Sequence, residues 1–232
     1  MGRIILTGDI HGNISRIIDI DDSEMTKEDI IIVLGDFGVI WGKNPELEDY
    51  YLSKLGEKKF TVAFVDGNHE NFRLIKQKEK IVEWNGGRAG LLPYGIIHLL
   101  RGEIYFINGK TVGVCGGAES IDRALRVEGV SWWPEEQISD EDIENFENNL
   151  RLNYDKIKNK IDIMLTHDAP ASLVPTIKLL EGIREKKLSE SQGKLERILS
   201  LADIDRWYFG HWHIERMIGD KFRCLYRDFK EV

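Results

Sequence analysis

Gly8-Asp9-Ile10-His11-Gly12 lies where an apolar run ends and a helix-like segment begins. The run before it, Ile4-Ile5-Leu6, is continuous and rich in β-branched residues, which is typical of a strand covered on both faces. We therefore expect residues 3–8 to form a buried strand whose end presents Asp9 and His11 in a loop. A carboxylate and an imidazole two residues apart at a strand end indicate a functional site.

Four further stretches repeat this arrangement of polar residues behind an apolar run. They are Gly35-Asp36, Gly67-Asn68-His69-Glu70, Thr166-His167-Asp168 and Gly210-His211-Trp212-His213. Of the six histidines in the chain, only His98 lies outside the five stretches. His98 stands in the middle of a strand-like run, so we expect it to be a structural residue. The concentration of the other histidines predicts one shared site.

The first third of the chain alternates strands with helices. Strands are predicted over residues 30–34 and 60–65, and helices over 45–56 and 70–77, so each strand is followed by polar site residues and then by a helix. This rhythm is typical of a mostly parallel sheet.

The middle of the chain has a different character. Between residues 81 and 117, short strand-like runs are separated by glycine pairs and by Asn108-Gly109, a strong hairpin signal. We therefore expect a second, largely antiparallel sheet there. Later strands over 161–165 and 207–209 lead into the last two histidine-containing stretches. No linker or repeat interrupts the chain, which predicts a single domain over residues 1–232.

Composition and charge argue against several classes of protein. The net charge of −8 is unfavourable for a protein that binds duplex nucleic acid, because such binding gains affinity from a basic surface. No apolar run approaches the ~20 residues that span a bilayer. Cys115 and Cys224 lack metal-binding spacing, so we expect free thiols in a cytoplasmic protein. A charge run over residues 181–190 predicts a solvated face or a mobile lid.

The five stretches together supply carboxylates, an amide oxygen and imidazoles. Such donors suit manganese, iron, zinc, cobalt or nickel, whereas calcium prefers oxygen-only shells. Seven candidate ligands are too many for one ion, and they suit two ions about 3.5 Å apart with one bridging carboxylate. The candidate ligands are Asp9, His11, Asp36, Asn68, His167, His211 and His213.

Two divalent ions of this kind hold a hydroxide between them at neutral pH and bind phosphate oxygens. In-line attack on the phosphorus of a phosphoester requires both the hydroxide and the bound phosphate oxygens. We expect manganese to support activity best. His69 is the histidine that remains, and beside Asn68 it can donate a proton to the leaving alkoxide.

The order and spacing of the five stretches resemble the calcineurin-like metallophosphoesterase family, across essentially the whole chain. The resemblance implies an α/β fold, a four-layer α-β-β-α sandwich with the site at the strand ends of two central mixed sheets. It implies that Asp36 bridges the ions, that His69 is the general acid, and that Asn68 and His69 contact the substrate phosphate. It assigns one ion to Asp9, His11 and His213, and the other to Asn68, His167 and His211.

Two departures from the Ser/Thr protein phosphatases of this family concern the substrate. Those enzymes carry Gly-Asp-x-x-Asp-Arg-Gly, whereas Asp36 here is followed by Phe37-Gly38-Val39-Ile40. They also carry an arginine where this chain has Asp66, and a carboxylate that pairs with the acid histidine. We expect Asp66 to repel a dianionic monoester more than a diester. The sequence therefore favours a phosphodiesterase or a nucleotide-directed phosphatase.

Arg123 and Arg126 are the candidates to replace the two missing arginines. They lie in a tract with Trp132 and Trp133 that resembles uncharacterised bacterial and phage-borne members of the family. A tryptophan there can stack a nucleobase while an arginine binds phosphate, which makes a nucleotide or a short oligonucleotide the expected partner. The alternative is that the tryptophans cover the core and the arginines pair with nearby acids. The oligomeric state stays open.

Other functions fit the sequence less well. A Ser/Thr-type protein phosphatase is the nearest alternative. A non-catalytic scaffold with the same fold would be marked by lost ligands, yet every ligand position is filled. A zinc peptidase or a deaminase would need His-Glu-x-x-His, or His-x-Glu with Cys-x-x-Cys, and the chain contains neither complete arrangement.

Overall fold

A computed structural model describes residues 2–183 and 187–232, and within these ranges the strands form two mixed sheets. The first sheet has the strand order β13-β1-β2-β3-β6-β5-β4. Its strands are β1 (Ile4–Thr7), β2 (Ile30–Leu34), β3 (Thr61–Val65), β4 (Lys80–Trp84), β5 (Gly87–Leu91), β6 (Ile97–Leu99) and β13 (Lys230–Glu231). The neighbours from β1 through β2 and β3 to β6 pair in parallel, and the remaining pairs are antiparallel.

The second sheet has the strand order β11-β12-β10-β9-β8-β7. Its strands are β7 (Ile104–Ile107), β8 (Lys110–Cys115), β9 (Lys160–Thr166), β10 (Asp203–Phe209), β11 (Arg216–Ile218) and β12 (Phe222–Cys224). Strands β8, β9, β10 and β12 run parallel to one another, while β7 and β11 pair antiparallel at the two edges.

Helices cover the outer faces of both sheets. They are α1 (Ser15–Ile18), α2 (Pro45–Gly56), α3 (Phe72–Lys78), α4 (Asp140–Leu152), α5 (Tyr154–Ile157), α6 (Val174–Leu180) and α7 (Glu190–Leu201). The longer helices begin at side-chain caps: Asn44 accepts from the backbone N–H of Leu47, and Ser139 forms a capping box with Asp142. None of the helices in the described ranges has the length and apolar character that crossing a membrane requires.

Side-chain alternation along the strands builds three apolar layers. Along β2, Ile30 and Ile32 face the second sheet, and Ile31 and Val33 face the helices on the outer side. A third layer packs α4 and α7 against the outer face of the second sheet, with Phe146 and Leu195 among its buried residues. The predicted four-layer α-β-β-α sandwich is confirmed.

The predicted assignment of residues 81–117 to one antiparallel sheet is wrong. Strands β4, β5 and β6 extend the first sheet, where β6 pairs in parallel with β3, and the second sheet begins only at β7. The Asn108-Gly109 hairpin forms as expected, with positive φ at both residues. A hairpin signal is local, so it fixes which strands pair and not which sheet they join.

The parallel strands bring their carboxyl ends to a common edge of the sandwich. β1, β2 and β3 of the first sheet and β9 and β10 of the second each end immediately before one of the five polar stretches. The fold thus positions residues that are far apart in the sequence at one place. The charge run over 181–190 includes residues 184–186, which lie outside the described residues, so the lid hypothesis stays a prediction.

Candidate metal centre

Four of the predicted ligands form a compact cluster at the ends of β1, β2 and β10. Asp9, His11, Asp36 and His213 each offer one ligand atom, and these atoms lie within 4.8 Å of one another. The Nε2 atoms of His11 and His213 are 3.0 Å apart, and Nε2 of His213 lies 3.0 Å from Oδ2 of Asp9. The first and last of the five stretches therefore meet in the folded chain.

A second group lies on the other side of Asp36, at the ends of β3, β9 and β10. Nε2 of His167 is 3.1 Å from Oδ1 of Asn68 and 3.3 Å from Oδ1 of Asp36. The ring of His211 packs edge-on against the ring of His167 with a centroid separation of 5.0 Å. The predicted ligands therefore fall into two neighbouring groups.

Asp36 belongs to both groups because its two oxygens face different histidines. Oδ1 faces His167, whereas Oδ2 lies 3.7 Å from Nε2 of His11. Burial disfavours the charged carboxylate, but His167, His69 and His11 hold the pKa of Asp36 well below its usual range. This geometry suits a carboxylate shared between two cations.

The donor set fits divalent metal ions. Oδ2 of Asp9 is buried and forms no hydrogen bond, although His213 lies close to it. A buried carboxylate oxygen without a hydrogen bond is costly unless a cation compensates it. Imidazole nitrogens and carboxylate oxygens facing one another match the preferences of borderline divalent ions. Asp9, His11, His213 and Asp36 would hold one ion, and Asp36, Asn68, His167 and His211 the other.

Hydrogen bonds behind the ligands fix which atom of each ligand faces the cluster. Nδ1 of His167 donates to the main-chain carbonyl of Leu34 at 2.8 Å, which leaves Nε2 for a metal. Nδ2 of Asn68 donates to Oγ of Ser120 at 3.0 Å, which leaves Oδ1 free, and Ser120 donates in turn to the buried Glu136. Ser120 and Glu136 could not be predicted as partners of Asn68, because they lie 52 and more residues after it and belong to no motif.

The backbone at the candidate ligands is strained. His11, Asp36, His211 and His213 all have positive φ, between 46° and 65°. These four account for nearly half of the nine non-glycine residues with positive φ in the described ranges. Such conformations cost free energy and cluster at functional sites, where the surrounding structure enforces them.

Two glycines allow the sheets to approach each other at the site. A Cβ atom on Gly35, whose φ is +92°, would lie 2.0 Å from Nδ1 of His167. A Cβ atom on Gly210 would lie 2.3 Å from Oδ1 of Asp9. Both contacts join residues of one sheet to ligands supplied by the other, so the glycines are required for the ligands to converge.

The predicted general acid, His69, lies at the edge of the cluster. Its backbone N–H donates to Oδ1 of Asp36 at 2.7 Å, and its ring packs edge-on against that of His11. Two guanidinium nitrogens of Arg126 lie 3.1 Å from the two ring nitrogens of His69. Burial, and then the charge of Arg126, lower the pKa of His69 despite the opposing effect of Asp36.

The structure separates the two candidate arginines. Arg126 reaches His69, whereas Arg123 lies 4.3 Å above the ring of Trp132. Trp132 and Trp133 are buried, at 9% and 1% exposure, which leaves little of either ring surface for stacking on a nucleobase. The alternative reading, in which the tryptophans cover the core, describes them better.

Asp66, which was expected to repel a dianionic phosphate, has a countercharge of its own in the structure. Asp66 is buried and forms an ion pair with Arg101, in which Nε of the arginine lies 2.8 Å from Oδ2. Burial disfavours its charge, but Arg101 and His98 hold the pKa of Asp66 well below its usual range. Since the carboxylate is already compensated, it does not act as a free negative charge toward the substrate.

His98 belongs to this buried network, and its contacts predict that the unfolding free energy of the protein depends on pH. Its Nδ1 is 2.8 Å from Glu79 and its Nε2 is 3.4 Å from Asp66, so both nitrogens face carboxylates. Burial opposes the charge, but the two carboxylates raise the pKa of His98 to about 9, above its ordinary value of 6.5. The stabilisation of the folded state by protonated His98 is therefore complete below pH 6.5 and is lost as the pH rises through 9.

We expect the metal-free protein to lose about 1.4 kcal/mol of unfolding free energy per pH unit within this window through His98. The His98→Gln variant, which cannot titrate, should lack this component. Urea unfolding of both proteins at intervals from pH 6 to 9.5 measures the difference. Parallel pH profiles of the two proteins would contradict the assignment.

The comparisons with known proteins agree with this geometry. The family model described as calcineurin-like phosphoesterase matches residues 2–215. A search of curated proteins found no match. Members of the family hydrolyse phosphoesters with a dinuclear centre of divalent metal ions. The chain belongs to the calcineurin-like phosphoesterase family.

Proposed function

We propose that this protein is a phosphohydrolase that uses two divalent metal ions, and that it prefers phosphodiesters, nucleotides among them. The single observation that supports this most is the position of Asp36, whose two oxygens face two separate groups of ligands. Some members of the family are non-catalytic. A complete ligand set on a strained backbone supports catalysis here, because such strain clusters at active sites and a scaffold would not need every ligand position filled.

The bound ions would act as Lewis acids toward water and the phosphate oxygens. Asp36 would keep the two ions together, and Asn68 and His167 would be held in orientation by Ser120 and the carbonyl of Leu34. Arg126 would contact a phosphate oxygen beside His69. An anionic substrate there offsets the guanidinium charge, so His69 can hold a proton and donate it to the leaving oxygen.

The preference for diesters is supported by the charge around His69. Nε of Arg126 lies 2.7 Å from Oδ1 of Asp122, so this carboxylate offsets part of the positive charge that the arginine brings to the substrate. Phe37 follows Asp36 and is fully buried, and Arg101 is engaged by Asp66, so neither position adds positive charge for the substrate. A singly charged diester needs less compensation than a dianionic monoester. The same features disfavour the Ser/Thr-type protein phosphatase.

We expect the manganese-loaded protein to hydrolyse bis-p-nitrophenyl phosphate with a higher kcat/KM than p-nitrophenyl phosphate. Release of p-nitrophenol from both compounds measures this, with EDTA-treated protein as the control for metal dependence. Manganese is the ion that we propose for the assay, and nickel, cobalt and zinc can be tested beside it. Preference for the monoester would contradict the diesterase proposal, and inactivity with every ion would contradict hydrolysis.

We expect His69→Ala to lower kcat/KM by an amount that depends on the leaving group of the substrate. An alkyl alkoxide leaves poorly without a proton donor, whereas p-nitrophenolate leaves readily, so the loss should be about 10²-fold or more on alkyl esters and small on p-nitrophenyl esters. The kcat/KM values for a methyl and a p-nitrophenyl ester of thymidine 5′-phosphate measure it. Equal losses on both esters would show that His69 is not the general acid.

A further inference from the structure

A cleft of about 610 Å³ opens beside Asp9 and His11 of the candidate metal centre. One wall comes from the loop and helix after β1, with Asn13 and Arg16. The opposite wall is the C-terminal segment 226–229, which lies beyond residues 2–215 matched by the family model. The cleft is therefore built partly from a segment that the family match does not cover.

Arg16 lies half-buried in this cleft without a carboxylate partner. Its guanidinium donates to the main-chain carbonyls of Asp9 and Tyr226 and to Oγ1 of Thr7, three neutral acceptors. A guanidinium has five N–H donors, so two remain available. A buried cation held only by neutral acceptors is stabilised by an anionic ligand.

Arg227 provides a second cation at the rim of the same cleft. It is exposed and, within the described part of the chain, forms no ion pair. Glu215 holds its backbone by accepting hydrogen bonds from the N–H groups of Tyr226, Arg227 and Asp228. The loop is thereby fixed while the guanidinium stays free to bind a ligand.

The cleft and the candidate metal centre share an aromatic ring. Tyr226 stacks on His213 with a centroid distance of 4.5 Å and an interplanar angle of 13°. The guanidinium carbon of Arg227 lies 5.2 Å from the centroid of the same ring. Within the described residues, Asp9 is the one carboxylate in the cleft lining, and it is a candidate metal ligand. One substrate can therefore contact the metal centre and both arginines.

We propose that Arg16 and Arg227 form a binding site for a second phosphate group of the substrate, next to the phosphate that is hydrolysed. Guanidinium groups bind phosphate through planar, paired hydrogen bonds. In a protein of net charge −8, two arginines without carboxylate partners at one cleft favour a specific anion over a general basic surface. The substrate class is a nucleotide or short oligonucleotide that carries a phosphate besides the scissile diester. This inference rests on the proposed function.

A matched pair of substrates tests the site. The p-nitrophenyl ester of thymidine 5′-phosphate and the same ester with a 3′-phosphate differ only in the second phosphate. We expect the wild-type protein to prefer the 3′-phosphorylated ester, and Arg227→Gln to reduce the ratio of the two kcat/KM values by about tenfold, as for one charge-assisted hydrogen bond. Arg151→Gln, an exposed arginine on α4, is the matched control and should keep the wild-type ratio.

Binding to metal-free protein separates this inference from the proposed function. Calorimetry with EDTA-treated protein should show tighter binding of thymidine 3′,5′-bisphosphate than of thymidine 5′-monophosphate, and Arg227→Gln should remove the difference. Equal affinities for the two nucleotides in the wild-type protein would overturn the inference even if both esters are hydrolysed. A binding preference that depends on Arg227, without hydrolysis of either ester, would support the phosphate site and overturn the proposed function.

Discussion

Asp36→Asn should lower kcat/KM on bis-p-nitrophenyl phosphate by at least about a thousandfold, or about 4 kcal/mol of transition-state stabilisation. The physical reason is the loss of the charge shared by the two ligand groups. The Asn side chain can still accept from the N–H of His69 through its oxygen, as Oδ1 of Asp36 does at 2.7 Å. Its amide NH₂ would then face His11 and His213, where a cation is expected.

This variant separates folding from metal binding. Because the hydrogen bond to His69 is retained, far-UV circular dichroism should match that of the wild type, while the amount of bound manganese should fall. Asp155→Asn, at a fully exposed carboxylate, is the matched control and should change neither property. Activity of the Asp36 variant close to that of the wild type would show that Asp36 does not join the two ions.

Gly35→Ala should destabilise the protein more than any other glycine-to-alanine change at a comparable φ. The new Cβ would lie 2.0 Å from Nδ1 and 2.3 Å from Cγ of His167, a contact that neither the strand end nor the buried ring can relieve. We expect about 1–2 kcal/mol from the left-handed conformation and about 1–3 kcal/mol more from the overlap. Displacing His167 also breaks its hydrogen bond to Leu34, so manganese binding should weaken.

Gly95 supplies the matched control for this prediction. Its φ of +81° is close to that of Gly35, but no atom lies within 4 Å of the position of a Cβ. Gly95→Ala should therefore show the conformational cost alone and bind manganese normally. Urea unfolding and equilibrium dialysis with manganese measure both effects. Equal destabilisation by the two changes would show that the sheets do not approach each other as closely at Gly35 as described.

The sequence predicted the candidate ligands because strand ends are encoded locally. An apolar run followed by a polar stretch specifies where a parallel strand ends, and parallel strands of adjacent sheets end at one edge. The resemblance to the family then implied that Asp9 and His213, some two hundred residues apart, lie together. The side chains that orient the ligands could not be predicted in this way. Ser120 and Glu136 lie in irregular segments whose path depends on the folded core.

The errors of the sequence-based predictions have a common physical cause. Whether a charged residue acts on a substrate depends on its nearest countercharge, and that partner is usually distant in sequence. Asp66 is neutralised by Arg101, 35 residues later, and Arg126 reaches His69 across 57 residues while Arg123 does not. The sheet to which β4, β5 and β6 belong also depends on a partner that is distant in sequence. Their hairpin patterns are ordinary, and only the pairing of β6 with β3 places them in the first sheet.

We propose that the five polar stretches hold two metal ions, one on either side of Asp36. Anomalous diffraction from crystals grown with manganese tests it most directly. We expect two peaks, one bounded by Asp9, His11 and His213 and the other by Asn68, His167 and His211, with an oxygen of Asp36 beside each. A single peak, or peaks that do not contact Asp36, would contradict it.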